Sequence, residues 1–141
     1  MLSLLIGALF SKVYASPFIT TWKVKEDKEL CFKLKGNATI SWYKKGNPSI
    51  KGKDVLDKNS CLSLPDTGVY VIEIENLTGF RSTKSHASQL ISIDQWGATQ
   101  WEELDSAFAG CENMQGLAKD IPDLTKVSSL AYMFRSAESF N

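Results

Sequence analysis

The side chains able to do chemistry in this chain are few: a single histidine, His86, the cysteines Cys31, Cys61 and Cys111, and acidic pairs such as Glu73 with Glu75 and Glu102 with Glu103. A zinc site needs several His, Cys or carboxylate ligands at workable spacing, and His86 lies alone in the polar run Ser82 to Ser88. A Ser-His-Asp or Cys-His arrangement would have to recruit this one residue from an exposed loop. No G-x-S-x-G, P-loop or G-x-G-x-x-G stretch accompanies it. The acidic pairs fall where helix and strand patterns place solvent-facing residues, and read as surface charge. No catalytic residue, metal ligand or cofactor site is assigned, and an enzyme is not expected. Trp22, Trp42, Trp96 and Trp101 could form a sugar-stacking platform. Trp42, however, shares a strand face with Ile40, and Trp96 and Trp101 occupy repeat positions filled later by Leu124 and Val127. Core packing is the stronger reading. Asn37-Ala38-Thr39 and Asn76-Leu77-Thr78 fit the glycosylation sequon and equally fit turns.

The cysteines have a structural reading. Leu30, Phe32 and Leu34 alternate with Cys31 and Lys33, and Leu62 and Leu64 flank Cys61 in the same way, placing both cysteines on the polar faces of strands. On neighbouring strands Cys31 and Cys61 could bridge; the alternative is two free thiols. Cys111 matches Ala137 in the repeat described below and reads as a small buried residue.

The elements that position these residues change character along the chain. Leu2 to Phe10 is an apolar run followed by Val13-Tyr14-Ala15, the pattern of a signal peptide over residues 1–15, although Lys or Arg is missing from its start. The run is too short for the ~20 residues that span a bilayer, so no transmembrane span is expected after cleavage. With 16 basic and 16 acidic residues the formal net charge is zero, which removes the electrostatic argument for a nucleic-acid partner. From Pro17 to Ile93 the pattern is strand and turn, with candidate strands at Ile19 to Val24, Leu30 to Leu34, Thr39 to Tyr43, Cys61 to Leu64, Val69 to Ile74 and Gln89 to Ile93. The lysine-rich stretch Gly46 to Asn59 reads as a solvated loop. Residues 16–92 are thus expected to form a small antiparallel β-sandwich.

Beyond Ile93 the period changes. Trp101, Leu104, Phe108 and Cys111 fall at i, i+3, i+7 and i+10, one stripe of a helix, and Val127, Leu130, Phe134 and Ala137 repeat it 26 residues later. Met114 matches Phe140 and Ala107 matches Met133 at the same offset, while Thr99 and Glu102 fit a capping box. A period of this length predicts repeat units that bury their apolar faces against one another.

Met133-Phe134, Ala137, Phe140-Asn141 and the lead Asp123-Leu124-Thr125-Lys126-Val127 with Leu130 resemble the repeat of BspA-type leucine-rich-repeat surface proteins of bacteria, which is shared with mycoplasma-type lipoproteins. The strand Thr67-Gly68-Val69-Tyr70-Val71-Ile72-Glu73-Ile74 resembles PKD or immunoglobulin-like leader modules, although the Trp42 strand is followed by Tyr43-Lys44-Lys45-Gly46 rather than an Asp-Gly-Asp-like turn. The resemblance implies an α+β chain: a small antiparallel β-sandwich over residues 16–92, then the start of a leucine-rich-repeat-like solenoid over residues 93–141, cut off within its second unit. It also implies an exported, non-enzymatic protein, secreted or at the cell surface, that meets a protein or glycan receptor by adhesion or recognition. The alternative is a glycan-binding sandwich with the repeats as spacer.

Overall fold

A computed structural model describes residues 16–141; the signal-peptide reading of residues 1–15 lies outside them. The first strand, β1 (Phe18–Val24), alternates poorly because it lies inside the sheet, between β5 (Gly68–Ser82) and β6 (Leu90–Gln95). The longest strand, β2 (Glu29–Lys44), pairs with β5 along nearly its whole length. The expected strands Leu30 to Leu34 and Thr39 to Tyr43 are one strand, with Lys35-Gly36-Asn37 an irregularity within β2 where the register shifts on both sides of Gly36. Gly36 has φ +104, and a Cβ there would lie 2.7 Å from the Asn76 carbonyl oxygen, so glycine is required.

Two further strands flank β2: β3 (Asn47–Asp54) on its C-terminal half and β4 (Cys61–Ser63) on its N-terminal half. The segment read as a solvated loop is therefore largely an edge strand. Its lysines and Pro48 suit that position, because they discourage pairing with a further strand. Trp42 covers Gly52 across the β2–β3 pair and donates its indole N–H to Asp54 Oδ2 at 3.1 Å. The two-residue β7 (Gln115–Gly116) adds to β6 in parallel, completing one mixed sheet of order β3-β2-β5-β1-β6-β7, with β4 on β2.

The α+β class and the leucine-rich-repeat solenoid are corrected by this structure. Among the described residues the only helical element is the 3-10 turn Ala87–Gln89, and the chain is nearly all β with one open mixed sheet. The two helices expected over the repeats are instead successions of tight turns. In the first coil, Trp101 to Met114, the amides of Ala107, Ala109, Cys111 and Met114 reach back three residues, to Leu104, Ser106, Phe108 and Cys111. In the second coil, Val127 to Phe140, those of Met133, Arg135, Ala137 and Phe140 do the same. Left-handed residues interrupt each succession: Ser106 (φ 55) and Gly110 (φ 78), then Tyr132 (φ 56) and Ser136 (φ 58). A right-handed helix cannot pass through them. Thr99 and Glu102 consequently cap no helix.

A continuous apolar cluster joins sheet and coils. Phe18 meets Trp101 edge-on at 5.1 Å, and an aromatic series runs from Phe80 to Phe108 at 5.4 Å and on to Phe134 at 5.7 Å. Trp101, Leu104, Phe108, Cys111 and Met114 are fully buried. The second coil is covered on one side only: Met133 and Ala137 are buried and Val127 and Phe140 half-buried, while Leu130 and Phe134 remain exposed. Trp101 is the one buried side chain whose polar atom, Nε1, lacks a partner among the described residues. Replacing it by Phe removes an unsatisfied donor but opens a small cavity, so Trp101→Phe is expected to cost about 1 kcal/mol in urea unfolding, the gain from losing the orphan donor offsetting part of the cavity. Trp22→Phe opens the same cavity and also severs a 2.8 Å bond to Thr20 Oγ1, and is expected to cost more, about 2 kcal/mol.

Candidate recognition groove

The cysteines of β2 and β4 are brought together. Cys31 and Cys61 stand directly opposite in the antiparallel pair and form a disulfide with Cα atoms 4.0 Å apart. Neither faces solvent as the strand alternation implied; each is 8% exposed. Glu29 lies near both sulfurs, but sulfurs joined to each other have no thiolate to offer a metal. Cys111 is free and fully buried, and burial pushes its thiol up to about 11, which makes it a packing residue rather than a nucleophile.

His86 is not an exposed loop residue but 6% exposed, and it bonds through both ring nitrogens. Ser85 Oγ lies 2.9 Å from Nδ1 and Asp27 Oδ2 lies 3.1 Å from Nε2. Burial raises the Asp27 pKa, but hydrogen bonds from His86 and the Glu29 amide outweigh it and hold the carboxyl below its ordinary value. The connectivity resembles a nucleophile, base and orienter. Its placement argues for a tie instead: Ser85 and His86 are neighbours in one tight turn, in which the His86 amide donates to Thr83, and Thr83 Oγ1 donates to the Cys31 carbonyl. The network fastens the turn after β5 to Asp27, between β1 and β2, and to β2 beside the disulfide.

A second polar cluster fixes the β4–β5 turn. Asp66 accepts from Lys44 Nζ at 2.7 Å and from the Tyr70 hydroxyl. The bond from Lys44, then that from Tyr70, hold the Asp66 carboxyl below its ordinary value of 3.8. Burial and the bond to Asp66 push the Tyr70 hydroxyl up to about 12. The Asp66 contribution to stability is present above the unfolded carboxylate value and is lost as pH falls through the lower folded value. That of Tyr70 is present below its unfolded value near 10 and is lost as pH rises through about 12. The midpoint of thermal unfolding is therefore expected to fall below about pH 4, with a smaller acid-limb loss in Asp66→Asn.

None of the tryptophans forms an exposed platform: Trp22 and Trp101 are fully buried, and Trp42 and Trp96 are each 8% exposed. Glu102, Glu103 and Glu75 are exposed and Glu73 half-buried, with Glu103 paired to Lys35 at 3.2 Å. A concave surface lies elsewhere. A groove of about 820 Å³ is lined by the end of β5, the turn after it and the left-handed corners of both coils. Arg81, Lys84 and Arg135 reach it with a single carboxylate, Glu112, and Tyr132 is 65% exposed at its rim. Sequence reasoning missed it because Arg81 and Arg135 are far apart in the chain and converge only when the second coil stacks on the first.

The stacking runs mainly one way, although Ser139 of the second coil donates back to Glu112, and Glu102 and Glu103 donate to Thr78 of β5. Ser82 and Phe80 of β5 donate amides to the carbonyls of Ala107 and Glu103 in the first coil. Ser106, Phe108 and Gly110 of the first coil then donate to Ala131, Met133 and Arg135 of the second, at 2.9, 2.9 and 2.8 Å. The corresponding amides of the second coil belong to Tyr132, Phe134 and Ser136, and none has an acceptor among the described residues. Comparison of the chain with family models, curated proteins and solved structures gives no match. No described helix is long and apolar enough to cross a membrane.

Proposed function

We propose that this chain is an exported, non-enzymatic surface protein that works by contact, through adhesion or protein–protein recognition. The observation that carries the reading is the outer edge of the second coil. Three amides at alternate residues, Tyr132, Phe134 and Ser136, repeat the donor row that the first coil spends on its neighbour, and apolar Leu124, Leu130 and Phe134 lie partly exposed alongside. Such an edge fits a partner polypeptide that offers carbonyls at every second residue and apolar side chains between them. Export is supported by the apolar N-terminal run ending at Val13-Tyr14-Ala15 and by the Cys31–Cys61 disulfide, a bond that persists in oxidising compartments. The motif resemblance to BspA-type surface proteins points the same way.

Binding of the whole chain to a panel of immobilised extracellular-matrix proteins tests this reading. Saturable binding to at least one of them is expected, with a loss of about tenfold or more in Phe134→Glu and in Leu130→Lys. Leu130 is 46% exposed and carries the test, whereas Phe134 stacks on Phe108 and Phe140, so the unfolding midpoint of Phe134→Glu is measured beside its binding. Binding that is unchanged in both variants would overturn the edge as the contact. Turnover of an activated ester that disappears in Ser85→Ala would overturn the non-enzymatic reading.

A further inference from the structure

The groove beside this edge has a chemistry of its own. Arg81, Lys84 and Arg135 take part in no ion pair among the described residues, whereas Lys35, Lys44 and His86 each have a carboxylate partner. Among the described residues their guanidinium and ammonium donors are also uncommitted to other side chains or to backbone carbonyls. With Glu112 as the only carboxylate in the lining, the groove is locally positive in a chain whose formal net charge is zero. The Arg135 guanidinium lies 5.4 Å from the centroid of the Tyr132 ring, so the exposed aromatic and the cation form one surface. Hydroxyls of Ser88, Ser106 and Ser136 complete the lining.

We propose that this groove binds an anionic carbohydrate, a sugar chain bearing sulfate or carboxylate groups. Guanidinium forks match the planar edge of a carboxylate or two oxygens of a sulfate, and give stronger hydrogen bonds than neutral donors do. Serine hydroxyls donate to and accept from sugar hydroxyls, and the Tyr132 ring offers an apolar face to a pyranose. A nucleic acid would call for a series of aromatic faces on which successive bases stack, and one ring stands here. An acidic peptide anchored by its side chains would call for a buried apolar pocket, and this groove is open, with apolar and polar surface in about equal share. The site draws its cations from β5, the turn after it and the second coil. It therefore exists only while the coils are stacked, and it shares Tyr132 and Ser136 with the amide edge, using their side chains where the edge uses their backbone amides.

Equilibrium binding of the full chain to size-fractionated heparin, to hyaluronan and to neutral dextran, at low and high salt, tests the proposal. Heparin or hyaluronan is expected to bind saturably and dextran not, with binding weakened by salt. Arg81→Gln and Arg135→Gln are each expected to lower affinity about tenfold, as loss of a charge-assisted pair does. Lys53→Gln, on the distant edge strand β3, is expected to leave it unchanged. Tyr132→Ala gives a second reading at an exposed position that does not alter charge, and is expected to weaken the sugar without changing the salt dependence. Equal loss in Lys53→Gln would show general attraction to a basic surface and overturn the site. Competition by inorganic sulfate at an equal concentration of sulfate groups would mark an ion site and overturn the carbohydrate. Absence of binding to every acidic polymer would also overturn the proposal, and leaves the matrix-protein test of the edge unaffected.

Discussion

Phe108→Ala is expected to destabilise the whole chain by about 3–5 kcal/mol, the cost of removing a large buried aromatic from a site that cannot collapse. Phe108 is fully exposed to its neighbours and not at all to water. Its ring lies 5.4 Å from Phe80, 5.9 Å from Trp96, 5.7 Å from Phe134 and 6.5 Å from Phe18. These partners come from β5, the segment after β6, the second coil and β1, so the cavity would open where sheet and coils join. Urea unfolding followed by tryptophan fluorescence and by far-ultraviolet circular dichroism should give coincident curves in both proteins, with the midpoint of the variant lowered and the slope unchanged. If the coils unfolded first while the sheet kept the wild-type midpoint, the two parts would not share a core.

Removing the disulfide by Cys31→Ala with Cys61→Ala is expected to cost roughly 3–4 kcal/mol, the loop-closure entropy released in the unfolded chain. The bridge closes a loop across 30 residues of sequence separation, which contains β3, the β2–β3 turn and most of β2. It also holds β4, only three residues long, against the N-terminal half of β2, and Thr83 donates to the Cys31 carbonyl from the other side. Loss of the bond should therefore speed amide exchange first in β4 and in the Asp57–Ser60 turn, where Asp57 accepts from the amides of Asn59 and Cys61. Thermal unfolding with and without reductant on the wild-type chain measures the same quantity. Superimposable curves would show that the bond contributes nothing.

Much of the sheet was legible because its signals are local. Val69 to Ile74, apolar on both faces, is the first half of β5, which lies between β2 and β1. The alternation around Cys31 and Cys61 placed both on strands, although burial on the second face depends on neighbours that alternation does not report. β3 was read as loop because an edge strand carries lysines for the same reason a loop does, both being wet. The coils were read as helices because i, i+3, i+7 spacing of apolar residues fits a helix and equally fits a succession of i+3 turns. What separates the two is the left-handed residue in each turn. Gly110 advertises it, whereas Ser106, Tyr132 and Ser136 do not. The apolar register survived this correction: Leu104, Phe108 and Cys111 face the core whether the backbone between them is helix or turn. The groove was illegible for a different reason, since its charges are gathered by stacking from segments with no common pattern.

The second coil presents an open row of donors, without acceptors among the described residues. Amide hydrogen exchange resolved to single residues tests this directly, first on the chain alone and then on its complex with a bound matrix protein. In the free chain, Tyr132, Phe134 and Ser136 should exchange fast while Ser106, Phe108 and Gly110 are protected by the carbonyls of Ala131, Met133 and Arg135. In the complex, the three outer amides should become protected while the inner three stay as they were. Outer amides that remain fast in a saturated complex would contradict the claim that this edge makes the contact.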